Sequence, residues 1–239
     1  MTREGRERAL MREILGERRS NDNDNGLGDE RAAADLGRAL RQAALDCAER
    51  GWPVLPGIAA APDGSCRCAR PDCPVPGAHP DDPQLLTATT DRRMVRWWWK
   101  RRPTAPILLA TGGRAPCAVS LPAVAGPGAL AALTARGLAA GPVVAGPTRW
   151  SLLVRPYGLP ELGELLSVQD RVPSSLRFHG EGGYVPLPPS PTGRGLVAWA
   201  RKPARPAAGH GGLPEVAGLL EALIEAGLSA PDQGSRLAY

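Results

Sequence analysis

Residues 176–193 read LRFHGEGGYVPLPPSPTG, and no other stretch leaves the backbone so few options. Leu176, Arg177, Phe178 and His179 alternate as a strand does, and Gly182–Gly183 mark a tight turn. Tyr184–Val185 then begin a second strand that the run of prolines from Pro186 is expected to stop. A hairpin this constrained holds its side chains in fixed places, as is needed to present an acid to a metal ion. Glu181 is the acid it carries.

Glycine and proline also recur along the whole chain, at 29 and 26 of 239 residues, which predicts long loops and frequent turns. The length suffices for one sizeable core or two small ones. The helical spacing of Leu36, Leu40, Ala43, Ala44 and Cys47 predicts a helix over 31–49 that Gly51 ends. Thr90 is the expected N-cap of a helix over 91–102, closed by Pro103. Further helices are expected at 126–141, 159–170 and 213–227, the last with Val216, Leu219, Leu220, Leu223 and Ile224 on one face. Strands are expected in WPVLPG, APILLATGG, PCAVSLP, on both sides of Gly146–Pro147–Thr148, in the hairpin and in GLVAWARK. Helices and strands intermix without the regular alternation of a doubly wound sheet, so the pattern predicts an α+β fold. The expected organisation is a charged arm over 1–30, a domain over 31–205 that includes a Cys/His loop at 58–86, and a linker with a carboxy-terminal helix over 206–239.

Charge is distributed unevenly. The formal net charge is +5, yet residues 1–50 carry ten basic and eleven acidic side chains. Residues 92–160 hold ten Lys/Arg and no Asp or Glu, a segment that attracts phosphate-rich partners. No stretch approaches the roughly eighteen apolar residues of a membrane span. The first thirty residues lack an apolar signal core and read as a charged helix to about Glu17 followed by a disordered Asn/Asp/Gly linker. A cytoplasmic protein is expected.

CRCARPDCPVPGAH places Cys66, Cys68, Cys73 and His79 in a loop with too few apolar residues for a core of its own. Three thiols and an imidazole are the right number and type for a tetrahedral structural zinc, and a reducing compartment favours metal over disulfides. The Cys-x-Cys spacing departs from the usual Cys-x2-Cys, so an irregular loop of reduced thiols is the alternative. Cys47 and Cys117 suit core positions.

MVRWWWKRR sets three tryptophans among the six basic residues between Arg92 and Arg102. Successive helical residues point about 100° apart, so the three cannot face one core. Met94, Val95 and Trp98 are the expected buried face, with Trp97 or Trp99 at its margin. Arg96 and Lys100 would then meet phosphates, with a tryptophan able to stack on a base. A core helix with a solvated arginine-rich face is the other reading.

Taken in order, ERGWPVLPG, a loop ending in PGAHP, ATTDRRMVRWWWKRRPTAPILLATG and HGEGGYVPLPPSPTGR resemble the N-terminal domain of bifunctional DNA primase/polymerases, the Prim-Pol family, over about residues 43–199. The resemblance implies an archaeo-eukaryotic primase-like α+β fold with a mixed, RRM-like central sheet flanked by helices. It also implies nucleotidyl transfer on a DNA template with divalent metal, chemistry that needs several converging carboxylates. The family supplies an Asp-x-Asp pair on the strand after the ATG turn, a histidine on a following strand and an aspartate just before the Gly-Gly-Tyr turn. Here Ser120, Leu121 and Pro122 stand in the region of the pair, Trp150 near the histidine, and Arg177 where the aspartate would fall. Because 103–160 contains no acid at all, no shift of alignment restores the pair.

The expectation is a Prim-Pol-like domain without its catalytic acids that binds DNA or nucleotide, with Arg149, Arg177, His179, Arg96 and Lys100 as phosphate contacts. Glu181 is the remaining catalytic candidate, or else a solvated turn residue. Mg²⁺ or Mn²⁺ enters only if activity remains. A helicase or other replication protein is the protein partner in keeping with such a role. Two alternatives stand beside this reading: an active nucleotidyltransferase that recruits Glu161, Glu164 or Glu181, and a protein-interaction module with no nucleic-acid role.

Overall fold

The structure is a computed structural model and describes residues 30–204 and 212–229. The helix and linker expected near the amino terminus lie outside the described residues, as does most of the linker before the last helix. Helix α1 (30–49) ends where Gly51 turns with φ 76°. Then come β1 (Val54–Pro56), α2 (Arg92–Arg101), β2 (Ile107–Ala110), β3 (Cys117–Pro122), α3 (Gly126–Ala135), β4 (Val143–Ala145) and β5 (Arg149–Val154). The chain continues through α4 (Leu159–Ser167), β6 (Arg177–His179), β7 (Tyr184–Leu187), β8 (Pro191–Thr192), β9 (Gly195–Leu196), β10 (Ala198–Arg201) and α5 (Val216–Ser229). Helix and strand are thus mixed along the chain, as expected. Among the described residues no helix is long and apolar enough to cross a membrane.

The strands form a three-stranded sheet, β1-β2-β7, a five-stranded sheet, β10-β4-β5-β3-β6, and the small pair β8-β9. Every strand pairing among the described residues is antiparallel, where a mixed sheet was expected. The buried side chains form two clusters, one behind the five-stranded sheet and one shared by the three-stranded sheet with Ala118, Val144 and Leu153 of the larger sheet. In the five-stranded sheet Cys117, Val119 and Leu121 alternate onto one face and pack with Ala129 and Leu133 of α3 and Val216, Leu219, Leu220 and Leu223 of α5. Around the three-stranded sheet, Leu40 and Ala44 of α1 and Val95, Trp98 and Trp99 of α2 meet Val54, Leu55, Ile107, Leu109 and Val185.

Two local expectations are corrected. Asp91, not Thr90, caps α2, its carboxylate accepting the Arg93 N–H at 2.7 Å. The buried stripe of α2 is Val95, Trp98 and Trp99, while Met94 is 43% and Trp97 49% exposed. Helical spacing allows either set, and packing against β1 and β2 selects the side that carries Trp99 over the one that carries Met94. The Trp99 indole N–H is satisfied by the Ala105 carbonyl at 3.0 Å.

Residues 176–193 are not a paired hairpin. Strand β6 joins β3 in the larger sheet and β7 joins β2 in the smaller one, so the glycine turn carries the chain from sheet to sheet. Thr111 fixes that turn: its N–H donates to the Gly183 carbonyl at 2.9 Å and its hydroxyl to the Gly180 carbonyl at 2.7 Å. Strand β7 also runs through Pro186 to Leu187 instead of stopping there. It is an edge strand, so the missing amide interrupts nothing on its outer side.

Candidate functional site

The face of the five-stranded sheet turned away from α3 and α5 floors a cleft of about 310 Å³. Cross-strand register sets the floor: Ser120 on β3 stands opposite Ser151 on β5 and Arg177 on β6, with His179 opposite Ala118 and Arg149 opposite Pro122. Ser120 is buried, and its hydroxyl oxygen accepts from Arg149 Nε at 3.0 Å and lies 2.8 Å from His179 Nε2. Arg149 Nη2 donates to the Ser120 and Ser175 carbonyls, each at 2.7 Å. Burial, followed by the charges of Arg149 and Arg177, holds the His179 imidazole down to about 4. It is therefore neutral at pH 7, and Nε2 can accept a hydrogen bond from the Ser120 hydroxyl. Burial and then the Arg177 charge lower Arg149 to about 10, which leaves it a cation at neutral pH. Arg194, between β8 and β9, is the third arginine of the lining, and none of the described lining residues is Asp or Glu. Three arginines lining one cleft make it electropositive, which favours an anionic ligand there.

The other candidates lie elsewhere. Glu181 is exposed and does not line the cleft; its backbone presses on Gly112, where a side chain would overlap it. Glu161 and Glu164 are exposed on α4, also outside the lining. Trp150 packs on the helix side of the sheet, its ring over Gly126, so β5 shows Arg149 and Ser151 to the cleft instead. Arg96 and Lys100 line a separate depression with Arg41 and Arg92. Sequence reasoning missed Ser151 and Arg194. The strict alternation of RWSLLV could have placed Ser151 beside Arg149, whereas nothing local to Arg194 points to the cleft.

One wall of the cleft is the Cys/His loop, through Pro74, Val75, Pro76 and Ala78. The loop is tied to the end of the proline run, where the Gly193 N–H donates to the Pro76 carbonyl at 2.8 Å. The ligand atoms of Cys66, Cys68, Cys73 and His79 all lie within 4.8 Å of one another, an arrangement that could hold a metal ion. A tetrahedral zinc with sulfur bonds of ~2.3 Å needs them about 3.8 Å apart. His79 Nδ1 lies 2.7 Å from the Pro80 carbonyl, which leaves Nε2 facing Cys66 Sγ at 3.3 Å. Burial opposes ionisation of Cys66, but the backbone N–H groups of Gly77 and Cys68 and the His79 ring outweigh it and bring the thiol to about 6. Burial pushes Cys73 up to about 11, with Cys66 and Cys68 adding to the rise and the Val75 backbone opposing it.

The family model described as bifunctional DNA primase/polymerase, N-terminal (Prim-Pol), matches residues 44–213. The chain belongs to the Prim-Pol family. No curated protein and no solved structure matches it. The Prim-Pol match takes in both sheets, the Cys/His loop and the cleft, and ends just before α5. Within this Prim-Pol domain, Ser120 and Arg177, which stand where the resemblance implies carboxylates, are direct neighbours across β3 and β6.

Proposed function

We propose that this Prim-Pol domain binds the phosphates of nucleotide or single-stranded DNA in its cleft and does not transfer nucleotides. The cleft's charge carries the reading: three arginines and a neutral histidine line it with no acid, in a family whose reaction calls for converging carboxylates. Mg²⁺ and Mn²⁺ take oxygen ligands, chiefly carboxylates whose charge offsets their own. Serine hydroxyls and guanidinium groups supply no such charge, so the divalent ions of the family do not fit and no step runs through them. Phosphate does fit. Arginine forks bind it in a bidentate way, and Arg149 keeps its Nη1 donors after anchoring Ser120 and Ser175. Glu161, Glu164 and Glu181 lie outside the cleft, which counts against an active site with relocated acids.

The Cys/His loop is read as a structural zinc site that shapes the cleft wall, because its four ligand atoms converge where apolar packing is sparse. The five-stranded sheet, with helices on one face and the cleft on the other, supports an archaeo-eukaryotic primase-like fold with an RRM-like sheet. A helicase or replication protein remains the partner class in keeping with the family.

Fluorescence anisotropy with labelled single-stranded DNA in the presence of EDTA tests the binding. Affinity is expected without divalent metal, to fall steeply with salt, and to drop about tenfold in Arg177→Ala. Binding that requires Mg²⁺, or that ignores salt, contradicts the proposal.

A further inference from the structure

We propose that the paired outer faces of α1 and α2 form a second nucleic-acid surface, separate from the cleft, that takes the phosphate backbone of single-stranded DNA and stacks a base on Trp97. The inference rests on the nucleic-acid reading of the cleft for its ligand class. Its observations are independent, because no residue lining this depression lines the cleft.

Helix α2 carries its cations in two adjacent rows at i, i+4 spacing: Arg92, Arg96 and Lys100 in one, Arg93, Trp97 and Arg101 in the other. The members of each row recur at about 6 Å steps along the axis, so the charges of the first row are about 6 Å apart and Arg93 and Arg101 about 12 Å. Arg41 and Gln42 of α1 border the first row, over the buried Leu45. Arg92 is held by Glu49 at 2.7 Å, and Asp46 is engaged by Gln42. Among the described residues no carboxylate lies within 4.0 Å of Arg41, Arg93, Arg96 or Lys100.

Trp97 is the one tryptophan of its triplet outside the core, 49% exposed and with the Arg101 guanidinium 4.5 Å from its ring centroid. Leaving so large a ring in water gains the fold little. Within one row of cations and beside the other it offers a stacking platform next to phosphate contacts, which is how sequence-tolerant single-strand binding is built. An acidic protein would use the cations but not a ring flanked by them.

The test uses the full chain and two probes, a long single-stranded oligodeoxynucleotide and a mononucleotide. Arg96→Ala/Lys100→Ala is expected to weaken the long strand about tenfold and to reduce its log–log salt slope by about 1.4, the share of two single-strand phosphates, while the mononucleotide affinity stays unchanged. Trp97→Ala is expected to weaken the long strand by a similar factor with little change in salt slope. Unchanged long-strand affinity and slope in the double variant, with Arg177→Ala weakening both probes, overturns this inference and leaves the cleft reading standing. Long-strand binding that depends on Arg96 and Lys100, with no mononucleotide binding at all, supports the helical surface and sinks the cleft reading. Displacement of the long strand from the helices by polyglutamate of equal charge, as effectively as by unlabelled DNA, overturns the assignment to nucleic acid. Thermal melting checks that the variants, at exposed positions on α2 and at the half-buried Arg177, remain folded.

Discussion

Ser120, Arg149 and His179 form one hydrogen-bonded unit, and the protonation of His179 follows from its neighbours. Its pKa is about 4 in the folded chain, against an ordinary 6.5. The unfolded chain therefore binds more protons between those values, and stability is full above about pH 6.5 and falls as pH drops toward 4. The loss at acid pH is at most about 3–4 kcal/mol. Melting temperatures across this range are expected to decline less steeply in His179→Gln than in the parent; identical slopes would mean that the imidazole is already charged. A phosphate bound beside it should raise the His179 pKa, which NMR titration of the ring reads directly. Arg149→Ala strips donors from Ser120 and Ser175 and is expected to cost about 1–3 kcal/mol in denaturant unfolding. Arg177 and His179 were legible in the sequence because they flank the glycine turn. Ser151 and Arg194 were not, since what brings them to the cleft is the register of β5 on β3 and the docking of the β8–β9 turn.

Among the elements, α2 shows most clearly what a local pattern can and cannot say. Its existence, its end at Pro103 and its basic outer face follow from MVRWWWKRR, but three adjacent tryptophans left the buried side open, and packing chose Trp98 and Trp99. Trp99→Ala is expected to cost about 3–5 kcal/mol in denaturant unfolding, and Trp97→Ala within about 0.5 kcal/mol. Equal costs would contradict the placement of the two rings. Strand alternation likewise marked β6 and β7 but could not say that they enter different sheets, which depends on long-range pairing. The Cys/His loop was legible as a ligand set and is expected to bind one zinc per chain by elemental analysis. Zinc must displace the proton that Cys73 holds up to about 11, so its affinity should fall as pH falls. Removing it should lower the melting temperature and weaken the cleft's ligand, since Pro74–Ala78 form the wall. A melt indifferent to chelator and to Cys73→Ser would count against the metal.

Across the whole molecule, one acid-free segment, residues 92–160, supplies both α2 and the floor strands β3 and β5. The same compositional fact thus appears on two surfaces that share no lining residue. Composition and motif order made the family and the α+β class legible. They did not reveal that the core divides into two clusters, or that Arg96 and Lys100 stand apart from Arg149 and Arg177. The central claim is that the cleft holds phosphate without doing the family's chemistry. Primer extension by the full chain, with either Mg²⁺ or Mn²⁺, tests it most directly: no incorporation above a protein-free control is expected, whereas extension that disappears in Glu181→Ala would contradict it.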